Sequence, residues 1–126
     1  MTEHTHGKEV LRPLAMEGRA LRQMIPDVYA GFAELSKAAM APGALELKTK
    51  ELLALVMGIT FRCDGCIATH ARGAASAGAT REEVAEAIGV TLLMNGGPGT
   101  VYGPRAYDAF CEYIEAIEAK DAPTAD

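Results

Sequence analysis

The stretch Phe61–Gly73, FRCDGCIATHARG, decides how the rest of this chain is read. Two cysteines lie three apart, a spacing that places both side chains on one face if they open a helix. His70 follows Cys66 by four residues, one helical turn further along that face. A helix starting at the pair points unpaired N–H groups at the sulfurs and favours a thiolate there. Arg62 and Arg72 add positive potential, while Asp64 opposes it. The set suits a metal clip, a structural disulfide, or a redox-active thiol pair with its own base. His70 stands one turn from Cys66 and two turns from Cys63, so the spacing makes Cys66 the base-assisted thiol. The thioredoxin analogy points the other way, because there the first cysteine of the pair attacks.

Working outward, every long segment has a helical period or composition, and none alternates with period two. The expected fold is all-α. A first helix is predicted over Arg12–Met24, with Pro13 in its first turn, where a missing N–H is tolerated. A second is predicted over Asp27–Ala41, capped by Asp27, and a third over Leu45–Phe61. A fourth runs from the cysteine pair through Ala77 and stops at Gly78. Thr80 and Glu83 form a capping-box pair that opens a fifth helix ending near Met94. NGGPG then breaks the chain, and a last helix covers Gly103–Lys120. Residues 8–120 read as one helical domain, with 1–7 and 121–126 as loose termini. His4 and His6 fall in the first of these and are given no role.

Two helices stand out. The third is apolar nearly all round over LLALVMGI, Leu52–Ile59, which predicts a central position. The fourth is built from small residues at ARGAASAGA, Ala71–Ala79, which lets backbones approach closely. Together they predict a core completed against further copies of the chain.

The bulk numbers narrow the chemistry. The 126 residues suit one domain; 49% are apolar and 23% charged, and the net charge is −5. No basic block is present, so neither nucleic acid nor an anionic membrane surface is an expected partner. MTEHTHGKEV lacks a basic start followed by an apolar run, and Leu52–Ile59 is too short to span a bilayer. The expected location is the cytoplasm, where thiols stay reduced and a close cysteine pair is more often catalytic or metal-binding than stabilising.

Glu51 lies twelve before Cys63, on an apolar stripe with Leu47, Ala54 and Leu55. A carboxylate there needs a partner. A histidine on the next helix would serve, and a surface pair with Lys48 is the alternative. A zinc site would use Cys63, Cys66 and His70 with Cys111 or Glu51 as the fourth ligand. Structural zinc normally uses two separated ligand pairs, and no second pair exists. Cys111 reads as a small hydrophobe in an aromatic-rich helix. In GGPGTVYGPRAY, Gly96–Tyr107, the glycines and prolines fit either a helix–helix turn or part of a pocket or subunit contact, with Tyr102 and Arg105 as its candidate functional side chains.

Glu51, CDGC and His70 at these spacings resemble the AhpD-like alkylhydroperoxidases of the carboxymuconolactone decarboxylase family. The resemblance runs from about Leu45 through GATREEVAEAIGVTLLMNGGPGTVYGPRAYDAF, which ends at Phe110. It implies a helical domain assembled into homotrimers or homohexamers. It implies hydroperoxide reduction with no bound cofactor: Cys66 attacks, Cys63 resolves, and Glu51 with His70 relays protons. An external dithiol, dihydrolipoamide on a partner protein in the best-known members, returns the electrons. The AhpD motif has a histidine just before its second cysteine, where this chain has Gly65. Decarboxylating members generally lack the cysteine pair, so lactone decarboxylation is the lesser expectation. From outside enzymology, the alternative is a thiol–disulfide sensor or assembly module.

Overall fold

The computed structural model describes residues 3–123, which form six α-helices and, among those residues, no strand. They are α1 (Lys8–Met24), α2 (Pro26–Met40), α3 (Leu47–Thr60), α4 (Asp64–Ser76), α5 (Arg81–Asn95) and α6 (Gly97–Asp121). The all-α expectation holds. Residues 1–2 and 124–126, part of the expected loose termini, lie outside the described residues.

The small-residue helix is the middle of the structure. α4 buries Ile67, Ala68, Ala71, Ala74 and Ala75 and packs between α3 and α6, with α1 along its flank. Small side chains allow that crowding from three sides, so the stripe expected to face other copies is used within the chain. α3, expected at the centre, packs against α2, α4, α5 and α6. It buries Leu55, Gly58 and Ile59 but leaves Leu53 and Met57 exposed. α6 closes the core with Ala106, Ala109, Phe110 and Tyr113, against Val84 and Ile88 of α5. α1 and α2 bury no residue completely.

Helix boundaries differ from expectation where tertiary contacts supply the caps. α1 starts at Lys8 rather than Arg12, because the Glu112 carboxylate of α6 accepts the Lys8 N–H at 3.1 Å. A carboxylate at a helix start also meets the positive end of the dipole. Pro13 consequently lies inside the helix rather than in its first turn. In α2, Ile25 is the cap and Pro26 takes the first position, so Asp27 is an acid in the first turn rather than the cap. The Thr80–Glu83 capping box forms as read from the sequence. The largest difference is α6, which begins at Gly97 and not at Gly103. The break narrows to Gly96, whose φ of +64° is left-handed and favours glycine. Pro98 then sits in the first turn, where its ring is pre-set for a helix. Gly99, Thr100, Gly103, Pro104 and Tyr107 line a shallow apolar cleft of about 490 Å³ against α5.

Residues 3–7, expected to be loose, lie along α6. His4 sits between Asp108 and Glu115, 2.6 Å from each, and the Thr5 N–H reaches Asp108 at 3.2 Å. The hydrogen bond to Asp108 raises the His4 pKa above its ordinary 6.5, against a partial burial that pulls it down. A raised pKa means the protonated ring holds the strap. That contribution is complete below pH 6.5 and is lost as the pH rises through the raised value. An NMR titration is expected to give a His4 midpoint above 6.5, with the Thr5 amide shift following it. A midpoint at or below 6.5 would contradict the double carboxylate clamp.

Candidate functional site

The turn between α3 and α4 delivers the thiols. Arg62 takes a left-handed φ of +55°, an uncommon conformation for a residue with a side chain. The chain then turns so that Cys63 becomes the N-cap of α4. Cys63 and Cys66 are at disulfide-bonding distance, their Cα atoms 5.2 Å apart. The Cys63 sulfur also accepts the Cys66 N–H at 3.2 Å, so it is a sulfur, not a hydroxyl or carboxylate, that caps this helix. Cys66 is exposed and Cys63 half-buried. An external reagent therefore meets the Cys66 sulfur more readily, while negative charge is better held on Cys63.

His70 follows one turn along α4, and its Nδ1 lies 2.8 Å from Glu51 Oε2 of α3. The Glu51 side chain is only 13% exposed and that of His70 29%. An ionised carboxylate can only accept, so Nδ1 is the protonated nitrogen and Nε2 of the neutral ring is the basic one. The surface alternative for Glu51 does not hold. Lys48 bridges instead to Glu83 of α5 at 2.9 Å.

Three glycines around this set have no chemistry of their own, and of them the sequence reading singled out only Gly65. At Gly73, three after His70, a Cβ would overlap the Glu51 carboxylate. At Gly58, a Cβ would lie 3.3 Å from the Cys66 Cβ, so α3 and α4 touch nearly backbone to backbone there. Leu14 of α1 covers Gly65, with its Cδ1 only 2.7 Å from where a Cβ would stand. A side chain at the position of the AhpD histidine would have to displace that leucine. The signal in the sequence was periodicity: Gly73 lies on the Cys66–His70 face, seven after Cys66.

Tyr102 and Arg105, flagged in the glycine-rich stretch, come from the first turns of α6. Arg105 Nη1 reaches both oxygens of Asp64, at 3.2 and 3.3 Å, and its guanidinium stacks over the Tyr102 ring at 4.4 Å. Cys111 is a free, half-buried thiol on α6, beside Tyr107 and Arg81 rather than the pair. Among the described residues, no three of His, Cys, Asp and Glu converge as a set that could hold a metal ion. None of the described helices is long and apolar enough to cross a membrane.

Comparison with known proteins gives the family and the fold. The model of the carboxymuconolactone decarboxylase family matches residues 26–109. An uncharacterized protein from Cupriavidus necator is 35% identical over 100 residues, 79% of this chain and 85% of its own length. A family member of known structure from Legionella pneumophila is 36% identical and superposes with a TM-score of 0.79, covering 82% of this chain and 92% of its own. A second, from Thermotoga maritima, is 30% identical with a TM-score of 0.69 and covers 85% and 97%. The six helices, the thiol pair at the start of α4 and these matches make the chain a member of the carboxymuconolactone decarboxylase family with the AhpD-like fold.

Proposed function

We propose that the chain is a thiol-dependent peroxidase that reduces hydroperoxides through Cys66 and Cys63. The observation that carries the reading is the Glu51–His70 hydrogen bond of 2.8 Å, one turn from an exposed Cys66. Nε2 of His70 takes the Cys66 proton, and Glu51 holds the ring in the tautomer that allows it. The thiolate attacks one oxygen of the hydroperoxide, the O–O bond breaks, and the alkoxide takes the proton from His70 and leaves as an alcohol. Cys66 is now a sulfenic acid. The Cys63 sulfur, supported by the Cys66 N–H, attacks that sulfur and gives up its thiol proton; the departing oxygen takes that proton and leaves as water as the disulfide forms. A dithiol of the dihydrolipoamide class attacks the exposed Cys66 sulfur and expels Cys63 as a thiolate. Its second thiol then closes its own disulfide and frees Cys66. A reducing compartment such as the cytoplasm would supply that reductant. A role in the antioxidative response has been suggested for the Thermotoga maritima relative, which is in keeping with this reading.

The same proposal includes a homo-oligomer, trimer or hexamer. α2 carries Val28, Phe32 and Leu35 at 65%, 66% and 63% exposure on one stripe, more bare apolar surface than a lone chain ordinarily keeps.

A second reading, a thiol–disulfide sensor without turnover, is favoured by Gly65, since one proton carrier of the AhpD motif is missing there. Peroxide consumption in the presence of dihydrolipoamide separates the two. Sustained turnover that Cys66→Ser abolishes is the expected result. One oxidation per chain with no recycling would assign the sensor. Light scattering on the same preparation is expected to give three or six chains, and a monomer would remove the oligomer from the proposal.

A further inference from the structure

Asp64 is the residue that a thiol site would be expected to avoid. It stands between the two cysteines as the first residue of α4, and its negative charge opposes a thiolate on either side. The helix dipole gives a general reason for an acid at that position. It gives no reason for a cation brought from 41 residues away on α6 to bind that acid.

The pair is built with care for a surface contact. Arg105 and Asp64 are 33% and 45% exposed, so as an ion pair they would add little to stability. Nevertheless one guanidinium nitrogen meets both carboxylate oxygens, and the Tyr102 ring, three residues earlier on α6, lies under the guanidinium. Stacking limits where the cation can go and keeps it over the turn that carries the thiols. The other charged and titratable groups of the thiol site are Arg62 in the preceding turn and His70 one turn along α4, the latter bonded to Glu51 from α3. α1 contributes the apolar Leu14.

We infer that Arg105 is a positioning residue for the thiol pair: held by Tyr102, it binds Asp64 and offsets that charge, so that the thiolates of Cys66 and Cys63 form more readily. Without Arg105 the carboxylate stands unpaired in the first turn of the helix that carries the thiols. The thiolate then becomes harder to form, and the disulfide becomes easier to keep than the two thiolates that replace it. Asp64 and Arg105 touch neither peroxide nor sulfur in this scheme; they act through charge.

The inference deepens the proposed peroxidase site, yet its readouts are equilibrium properties that need no peroxide, so it can fail or stand separately from turnover. In a Cys63→Ser background, the rate of Cys66 alkylation against pH gives a midpoint. Arg105→Gln is expected to move that midpoint up by about half a pH unit or more, as an unpaired like charge nearby does. Adding Asp64→Asn is expected to bring it back to the parent value or below. In the intact pair, the disulfide–dithiol equilibrium against a glutathione buffer is expected to move in the same order, toward disulfide in Arg105→Gln and back in the double variant. Circular dichroism on each variant establishes that the helices remain. An Arg105→Gln midpoint that overlays the parent would overturn the inference. So would a shift that Asp64→Asn leaves in place, because Arg105 would then act without Asp64.

Discussion

Replacing Glu51 with glutamine is expected to slow the alkylation of Cys66 roughly tenfold or more at neutral pH and to move its midpoint upward. Glutamine keeps the shape of the side chain and can still hydrogen-bond the ring. What it removes is a negative charge 2.8 Å from Nδ1 in a side chain only 13% exposed. That charge supports the imidazolium that forms when His70 takes the thiol proton. General-base assistance is typically worth about 10²–10⁴-fold, and a weakened base loses part of it. Lys48→Ala is the control and should change nothing at Cys66, since Lys48 pairs with Glu83. The measurement is alkylation rate against pH in the Cys63→Ser background. Superimposed curves for parent and Glu51→Gln would leave Glu51 a structural residue and His70 acting alone.

Gly73→Ala should produce an equal or larger loss by a route that involves no titrating group at the mutated position. A Cβ at Gly73 would occupy the space of the Glu51 carboxylate. The Glu51 side chain is only 13% exposed, which leaves it little room to swing. Either it gives up the His70 hydrogen bond, or α4 moves off α3. The second course strains a contact that is already close at Gly58, and overpacking of this kind costs about 1–3 kcal/mol. Both courses predict slowed Cys66 chemistry, and the second also predicts a lower Tm. A Glu51→Ala, Gly73→Ala double variant separates them: it should regain the parent Tm while staying as slow as Glu51→Ala alone. A Gly73→Ala protein with parental reactivity and Tm would show that the carboxylate can move freely, contrary to the packing described here.

The all-helical class and the six segments were open to reading because helical periodicity, the Thr80–Glu83 box and the glycine and proline breaks are local signals. The thiol pair and its histidine were equally legible, since residues three and four apart on one helix must share a face. Glu51 could be suspected from an apolar stripe but not assigned. Choosing between His70 and Lys48 depends on how α3 lies against α4 and α5, and that is a packing question. The beginnings of α1 and α6 differ from the sequence expectation for two separate reasons. One is capped by a carboxylate from 104 residues away; the other starts behind a single left-handed glycine, with prolines that a sequence reading takes as breaks. The close packing of α4 between α3 and α6 was decided by volume: a helix of alanines and glycines lets its neighbours approach nearly to backbone contact. What the sequence alone determined was therefore the chemistry carried by one helix, where spacing dictates geometry. Only the tertiary structure decided what supports that chemistry from outside: Glu51 behind His70, Gly73 making room for it, Leu14 over Gly65 and Arg105 on Asp64. Those partners meet through helix packing, and no local rule of the chain encodes such meetings.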